Sequence, residues 1–173
     1  MRRRVTPVHA FGLVLAASVA VLGTALFSQY VGGLQPCVLC IYQRVPYVLA
    51  IALCALALAV AVFGGGTKPS LTRSGLVICV ALFIAGAGIA AYHVGVEQGW
   101  WMGTEACAGS DLNALTIEDL RQQLLQKPIA RCDEVAWSAF GISMAGYNFI
   151  VSLLLAGGCV VLGRVVTGRS EPA

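Results

Sequence analysis

Residues 45–63 read VPYVLAIALCALALAVAVF, a run without a single charged side chain. Such a run is typical of a helix that crosses a membrane, because about 20 apolar residues span the hydrocarbon core. Searching outward for similar uncharged runs predicts three more spans, at about 11–30, 74–96 and 140–163. The sequence therefore predicts an all-α membrane protein in which one domain, residues 1–173, forms a bundle of four transmembrane helices.

The composition of the whole chain supports a membrane protein. Of its 173 residues, 58% are hydrophobic and only 11% are charged, and the mean hydropathy is +0.83. Soluble domains average about 25% charged residues, so this chain has too few polar side chains to cover a surface in water. These figures exclude a soluble single domain and a disordered chain, and a formal charge of +3 is too small to indicate nucleic acid binding.

The basic residues predict how the bundle is oriented. They precede the first span, lie between the second and third, and follow the fourth: Arg2, Arg3, Arg4, Lys68, Arg73, Arg164 and Arg169. Because Lys and Arg concentrate on the cytoplasmic side, both termini are predicted to be cytoplasmic, and the acidic segment 97–139 becomes a long outer loop. The first span is expected to stay uncleaved, since its apolar run exceeds that of a typical signal peptide.

A short amphipathic helix is predicted within the outer loop, over residues 116–126. Thr116 is placed as its N-cap and Asp119 at the third helical position, a variant of the capping box. Pro128 follows the end of this helix. Its apolar face would let the helix lie flat on the membrane.

The cysteines divide into two groups by predicted depth. Cys37 and Cys40 form a Cys-x-x-Cys where the second span begins, and Cys107 and Cys132 lie in the outer loop. All four would face a compartment in which disulfides persist. The other cysteines lie deeper within the spans and are interpreted as small apolar packing residues: Cys54, Cys79 and Cys159.

Two interpretations compete for the outer cysteines, namely structural disulfides and redox-active pairs. A disulfide across two residues constrains the unfolded chain little, whereas a helix N-terminus stabilises a thiolate and makes a cysteine reactive. Arg44 is predicted one helical turn below Cys40, where a buried cation favours function over simple snorkelling to the headgroups. No metal site is predicted, because the spacing of a zinc site is missing and His9 lies across the membrane.

The stretch Gln35-Pro36-Cys37-Val38-Leu39-Cys40-Ile41-Tyr42-Gln43-Arg44 resembles the disulfide bond formation protein B family of bacteria. Four spans and a second outer cysteine pair extend the resemblance over nearly the whole chain. It implies a multi-pass protein-dithiol:quinone oxidoreductase of the bacterial inner membrane, with its redox cysteines in the periplasm. Such a protein reoxidises a soluble, DsbA-like thiol oxidase and passes the electrons to ubiquinone or menaquinone.

The resemblance also implies roles for single residues. Cys107 would be attacked by the reduced partner, and Cys132 would be its partner in a loop disulfide able to exchange with Cys37. Cys40 would be the thiolate that meets the quinone, with Arg44 beside it. The loop pair is expected to be the more exposed one, because it faces a soluble protein.

Further pocket residues are expected at the outer ends of the spans. His93 is expected to donate to a quinone carbonyl, the alternative being an interfacial histidine with a structural hydrogen bond. Gln29 and Trp137 are expected to line the same pocket.

Two other classes of protein remain as alternatives. A relative of vitamin K epoxide reductase would also have four helices and a Cys-x-x-Cys, but its quinone-facing pair usually lies on the last helix of the core. A non-catalytic scaffold with two structural disulfides would leave Arg44 and the Cys-x-x-Cys spacing unexplained.

Overall fold

The computed structural model describes residues 6–64, 68–104, 107 and 130–167. Its elements, in chain order, are α1 Pro7–Tyr30, α2 Val38–Tyr42, α3 Val45–Phe63, α4 Pro69–Glu97, β1 Ser138–Ala139, β2 Ile142–Ser143 and α5 Met144–Thr167. The amphipathic helix predicted at 116–126 lies outside the described residues.

Four segments are long and apolar enough to cross a membrane: Pro7–Tyr30, Val38–Phe63, Pro69–Glu97 and Met144–Val166. The predicted class, a helical membrane protein with four spans, is confirmed. Helices α1 and α4 begin before the predicted spans, because Pro7 and Pro69 occupy the first helical turn, where the missing N–H leaves no hydrogen bond unmade. Uncharged runs mark the apolar part of a helix, whereas the helix itself continues through charged residues such as Arg73.

The fourth long helix begins later than predicted. Strands β1 and β2 form an antiparallel hairpin in which Ala139 pairs with Ile142. Phe140 and Gly141 make the turn with φ values of 51° and 78°, the positive angles of a two-residue hairpin loop. The predicted start at residue 140 therefore falls in a turn, because an uncharged run does not distinguish a hairpin from a helix.

The helices pack in two pairs, with α4 along α5 and α1 along α3, and α3 also contacts α4. Small residues permit close approach, as membrane helices require: a methyl group added at Gly75 of α4 would lie 3.0 Å from Cζ of Phe11 of α1. Large apolar side chains also cover the outside, for example Leu56 and Leu154, which are 64% and 69% exposed. Helices that are apolar on every face suit a lipid environment.

The C-terminal end of α4 closes with a glycine motif. Gly99 has a φ of 70°, and its N–H donates to the carbonyl of Val96 at 3.1 Å. The N–H of Trp100 donates to the carbonyl of Gly95 at 2.9 Å. This pair of bonds is the Schellman motif, in which a left-handed glycine satisfies the last carbonyls of a helix and reverses the chain.

Trp101 folds back onto α4 directly after this reversal. Its indole N–H donates to the carbonyl of Tyr92 at 3.0 Å, and the two rings stack with their centroids 5.8 Å apart. Gly95 makes room for the indole, since a methyl group there would lie 2.0 Å from Cζ2 of Trp101. The start of the outer loop is therefore fixed against the helix that precedes it.

The three deep cysteines meet in the core between α3, α4 and α5. Cys54, Cys79 and Cys159 are each at most 1% exposed, and the sulfur atoms of Cys54 and Cys79 lie 3.9 Å apart. Their neighbours include Phe83 and Tyr47. Complete burial among apolar side chains agrees with the packing role expected of them.

Candidate redox site

The Cys-x-x-Cys forms the N-terminal turn of the short helix α2. Cys37 is the N-cap, and its sulfur accepts the backbone N–H of Cys40 at 3.3 Å, one of the donors that a helix start leaves unpaired. The thiol of Cys37 also donates to the sulfur of Cys40 at 3.1 Å. The two-residue spacing thus brings both sulfur atoms together at the N-terminal end of the second span.

The electrostatics of this pair distinguish its two members. The hydrogen bond to Cys40, together with burial, raises the pKa of Cys37 to about 12, and the His93 side chain opposes this effect. Cys37 therefore holds its proton at neutral pH. The sulfur of Cys40 is the acceptor of that proton's hydrogen bond, which makes Cys40 the better placed nucleophile of the two.

Cys107 and Cys132 lie together beside the first pair. The N–H of Cys132 donates to the carbonyl of Cys107 at 3.3 Å, and their thiols also interact. Cys132 and Cys37 belong to the same buried cluster. Burial and the thiol of Cys107 raise the pKa of Cys132, so the four outer cysteines form one connected group.

The expectation that Cys107 and Cys132 are more exposed than Cys37 and Cys40 is wrong. Cys107 is 3% exposed and Cys132 is 0% exposed, whereas Cys40 is half-buried. Both loop cysteines pack against Cys37, Leu39 and Val96. The polar composition of the loop predicts contact with water, but it does not reveal that Cys107 and Cys132 are buried against the helices.

Arg44 lies at a break in the second span. The helix is not continuous from Cys40 to Arg44 as expected, because α2 ends at Tyr42 and Arg44 is the N-cap of α3. The Arg44 guanidinium donates to Oε1 of Gln29 on α1 at 2.5 Å. Two residues predicted for the pocket are thus brought into direct contact.

His93 of α4 contacts Cys37 of the first cysteine pair. Its Nε2 atom lies 3.5 Å from the sulfur of Cys37 and 3.9 Å from a carboxylate oxygen of Glu97. Its Nδ1 atom lies 2.8 Å from the amide nitrogen of Gln43. The other carboxylate oxygen of Glu97 accepts a hydrogen bond from Ser143, so His93 is held by partners on both ring nitrogens.

A chain of polar side chains continues from Gln43 into the bundle. Asn148 donates to the Gln43 oxygen at 2.6 Å, and the Tyr47 hydroxyl donates to the Asn148 oxygen at 2.6 Å. Ser152 lies 2.8 Å from the Tyr47 hydroxyl. The sequence reasoning missed these residues and Glu97, although polar groups inside spans are costly and are a signal of function in themselves.

A cavity of about 550 Å³ opens beside these groups, within the usual size range of small-molecule pockets. Its polar end includes Gln29, Cys40, Arg44 and His93. Apolar side chains of α1 line it as well: Val21, Leu22 and Ala25. Trp137 also lines the cavity, so it joins the residues that were expected there.

Three of the site residues could instead hold a metal ion. The sulfur atoms of Cys37 and Cys40 and a ring nitrogen of His93 all lie within 4.8 Å of one another. Sulfur and imidazole donors suit zinc and other soft or borderline cations.

These features define a class of protein, a four-span membrane protein with two adjoining cysteine pairs beside a membrane-level cavity. Residues 7–162 match the family described as Disulfide bond formation protein DsbB, and the chain belongs to this family. The resemblance noted in the stretch from Gln35 to Arg44 is thereby confirmed.

Individual relatives support the same family. The chain is 32% identical to a disulfide bond formation protein B from Polaromonas sp. over 171 residues, covering 94% of this chain and 95% of the relative. It is 30% identical over 159 residues to disulfide bond formation protein B 1 of Pseudomonas aeruginosa, with coverages of 90% and 94%. An uncharacterized protein of Rickettsia prowazekii is 26% identical over 145 residues, with coverages of 83% and 80%. No solved structure gives a significant match.

Proposed function

We propose that this protein reoxidises a DsbA-like thiol oxidase of the periplasm and passes the electrons through its two cysteine pairs to a membrane quinone. The observation that carries the proposal is the contiguity of the groups: Cys132 lies in one buried cluster with Cys37, Cys37 contacts Cys40, and Cys40 borders the cavity. Membership of the family supports a role in disulfide bond formation.

Electrons would move by two thiol–disulfide exchanges. A thiolate of the partner attacks Cys107 and releases Cys132, and the second thiol of the partner then releases Cys107, so the partner leaves oxidised and this pair is a dithiol. Cys132 then attacks Cys37 and releases Cys40. Attack of Cys107 on Cys132 releases Cys37, which restores the loop disulfide and leaves the inner pair reduced. Reoxidation of Cys37 and Cys40 to a disulfide finally releases two electrons and two protons.

The lining of the cavity fits a quinone, a flat ring with polar oxygens and an apolar tail. A bound quinone supplies the oxidising power, since it takes up two electrons and two protons. Arg44 and Gln29 would orient its oxygens at the polar end, and the α1 side chains Val21 and Leu22 would contact its apolar part. Ubiquinone and menaquinone share these features.

His93 would accept a proton from the Cys37–Cys40 pair. Its Nε2 atom is 3.5 Å from the Cys37 sulfur, and in the ring form that carries its hydrogen on Nδ1 this atom can accept the proton that Cys37 must lose before a disulfide can form. The positions of Lys and Arg support a location in the bacterial inner membrane with both termini in the cytoplasm and the four redox cysteines in the periplasm.

The test mixes the purified protein with a reduced thioredoxin-like oxidase and a soluble ubiquinone analogue without oxygen, and follows quinol formation. We expect one quinol per partner disulfide formed. Cys40→Ser should abolish quinone reduction, whereas Cys107→Ser should block electron entry and leave the Cys37–Cys40 disulfide intact. Cys54→Ala is the matched control and should keep wild-type turnover. Absence of quinol with both disulfides untouched by the partner would favour the structural scaffold.

A vitamin K epoxide reductase-like activity is the second candidate. It predicts reduction of an epoxide substrate with electrons from thiols. Turnover of such an epoxide at a rate equal to that of the ubiquinone analogue would contradict the proposed specificity.

A further inference from the structure

We infer that the fully reduced protein binds one zinc-type divalent cation between Cys37, Cys40 and His93. The binding requires only reduced thiols. Its consequence, that the cation holds the enzyme in its reduced state and stops electron flow, rests on the proposed function.

The geometry of the three donors is close to that of a tetrahedral zinc site. Zinc–sulfur and zinc–nitrogen bonds of about 2.3 and 2.0 Å place neighbouring sulfurs about 3.8 Å apart and sulfur and nitrogen about 3.5 Å apart. Nε2 of His93 already lies 3.5 Å from the sulfur of Cys37. The sulfurs of Cys37 and Cys40 are 3.1 Å apart, so a small side-chain rotation completes the site.

Two cysteines and one histidine supply three of the four donors of a tetrahedral zinc site, and a water molecule would take the fourth position. Cys132 belongs to the same buried cluster as Cys37, but it is not one of the three donors that lie within 4.8 Å of one another. The two thiolates balance the charge of the divalent cation.

The partners of His93 suit a metal ligand, because they can support either form of the neutral ring. In the arrangement described above, the Gln43 amide N–H donates to Nδ1 of His93, and Nε2 then carries the hydrogen. Metal binding needs the reverse, with Nδ1–H donating to a neighbour and a lone pair on Nε2.

Rotation of two amides by half a turn provides this second form without losing a hydrogen bond. The Gln43 oxygen then accepts from Nδ1 of His93, and its nitrogen donates to the Asn148 oxygen. Asn148 donates to the Tyr47 hydroxyl, which in turn donates to Ser152, since either hydroxyl of that pair can be the donor. The same buried chain thus supports both neutral forms of the ring, one with the hydrogen on Nε2 and the other, metal-ligating one with the hydrogen on Nδ1.

The redox state controls the site. A disulfide between Cys37 and Cys40 removes two of the donors, because only thiolates bind zinc strongly. Binding is therefore restricted to the reduced protein and releases the thiol protons. The cation would compete directly with reoxidation of the inner pair.

The test titrates the full-length protein in detergent with Zn²⁺ against a chromophoric chelator, after reduction with a phosphine and removal of the reductant without oxygen. We expect one tightly bound Zn²⁺ per reduced chain and none at this site after oxidation. Cys37→Ser and Cys40→Ser should each lower the affinity below that of the chelator. Gln43→Leu should lower it about 10- to 100-fold, the usual cost of removing the partner of a metal-bound histidine.

The matched control replaces the deep cysteines together, Cys54→Ala, Cys79→Ala and Cys159→Ala, and should leave the binding unchanged. Where a cysteine variant fails to fold, His93→Gln keeps every thiol countable with a thiol reagent and should still lose the tight site. Absence of tight binding, its retention in Cys40→Ser, equal binding to the oxidised protein, or its loss in the control would overturn the inference. Quinol formation in chelator is measured separately, so that loss of turnover and loss of metal binding remain distinguishable.

Discussion

At the scale of single residues, the two cysteines of the Cys-x-x-Cys are chemically different. Cys37 caps α2 and donates to Cys40, so the helix N-terminus and the neighbouring thiol act on the pair unequally. A pKa of about 12 for Cys37 leaves about one thiolate in 10⁵ at pH 7, compared with a few per cent for an ordinary cysteine. The sequence motif alone does not reveal this asymmetry.

The reactivity of Cys37 towards alkylating reagents should therefore rise with pH over an unusually wide range. Its folded-state pKa is raised, so the thiolate fraction increases about tenfold per pH unit up to about pH 12, whereas an ordinary cysteine levels off near pH 9. Mass spectrometry of reduced protein briefly treated with iodoacetamide should find Cys40 modified first. Preferential modification of Cys37 at pH 7 would contradict the assigned asymmetry.

Removal of the Arg44 guanidinium should chiefly weaken quinone use. Arg44→Ala loses a charged donor at the polar end of the cavity, an interaction of about 1.5–3 kcal/mol, which corresponds to an increase of about 10-fold or more in the KM for the quinone analogue. Steady-state kinetics with each substrate varied in turn measure this change. The KM for the thiol partner should stay unchanged.

Arg164→Ala is the matched control for Arg44, because Arg164 lies in the last turn of α5, away from the cavity. Its replacement should leave both KM values unchanged. Wild-type kinetics in Arg44→Ala would show that the cation merely reaches towards the headgroups.

At the scale of elements, the junction between α4 and the outer loop is built by Gly95, Gly99 and Trp101. The left-handed Gly99 reverses the chain, and Gly95 lets the Trp101 indole lie flat against the helix. Sequence patterns place a glycine near a helix end, but the partner of Gly95 is six residues away and is invisible to any periodicity.

Gly95→Ala should detach Trp101 from α4. The added methyl group would lie 2.0 Å from Cζ2 of the indole, an overlap that costs about 1–3 kcal/mol unless the ring leaves. Thermal unfolding should show the loss of stability, and electron transfer from the thiol partner should slow because the loop is no longer fixed. Direct reduction of quinone by the chemically reduced inner pair should persist.

Gly88→Ala is the matched control, because a methyl group at Gly88 of the same helix would meet nothing within 4 Å. It should be neutral or slightly stabilising, since alanine favours the helix over glycine by about 1 kcal/mol. Equal stability of both variants would show that the packing of Trp101 contributes nothing.

The hairpin before α5 carries a conformation that phenylalanine rarely adopts. Phe140 has a φ of 51° and is 98% exposed. Phe140→Asn should raise the melting temperature, because asparagine tolerates the left-handed region better and non-glycine residues there cost about 1–3 kcal/mol. A lower melting temperature would show that the exposed ring contributes binding energy to lipid.

At the scale of the whole molecule, the sequence predicted the fold class, the number of spans and the family. An uncharged run such as 45–63 indicates a helix that can cross a bilayer. The sequence from Cys37 to Arg44 is specific to the family. The predictions made from the sequence were less accurate where the backbone changes conformation without a change in polarity. Examples are the 138–143 hairpin and the break in the helix at Gln43 and Arg44. Burial of Cys107 and Cys132 depends on long-range docking, which no local pattern contains.

The fixed position of Trp101 has a further consequence for how the protein can meet a soluble partner. Cys107 follows six residues later, and an extended chain covers at most about 3.6 Å per residue. The Cys107 sulfur therefore stays within about 20 Å of the Trp101 indole. Within so small a volume, the effective concentration of Cys107 around the inner pair reaches the millimolar range. Under the proposed function, exchange between Cys107 and the inner pair would be intramolecular, and a soluble partner would have to react at the bilayer surface.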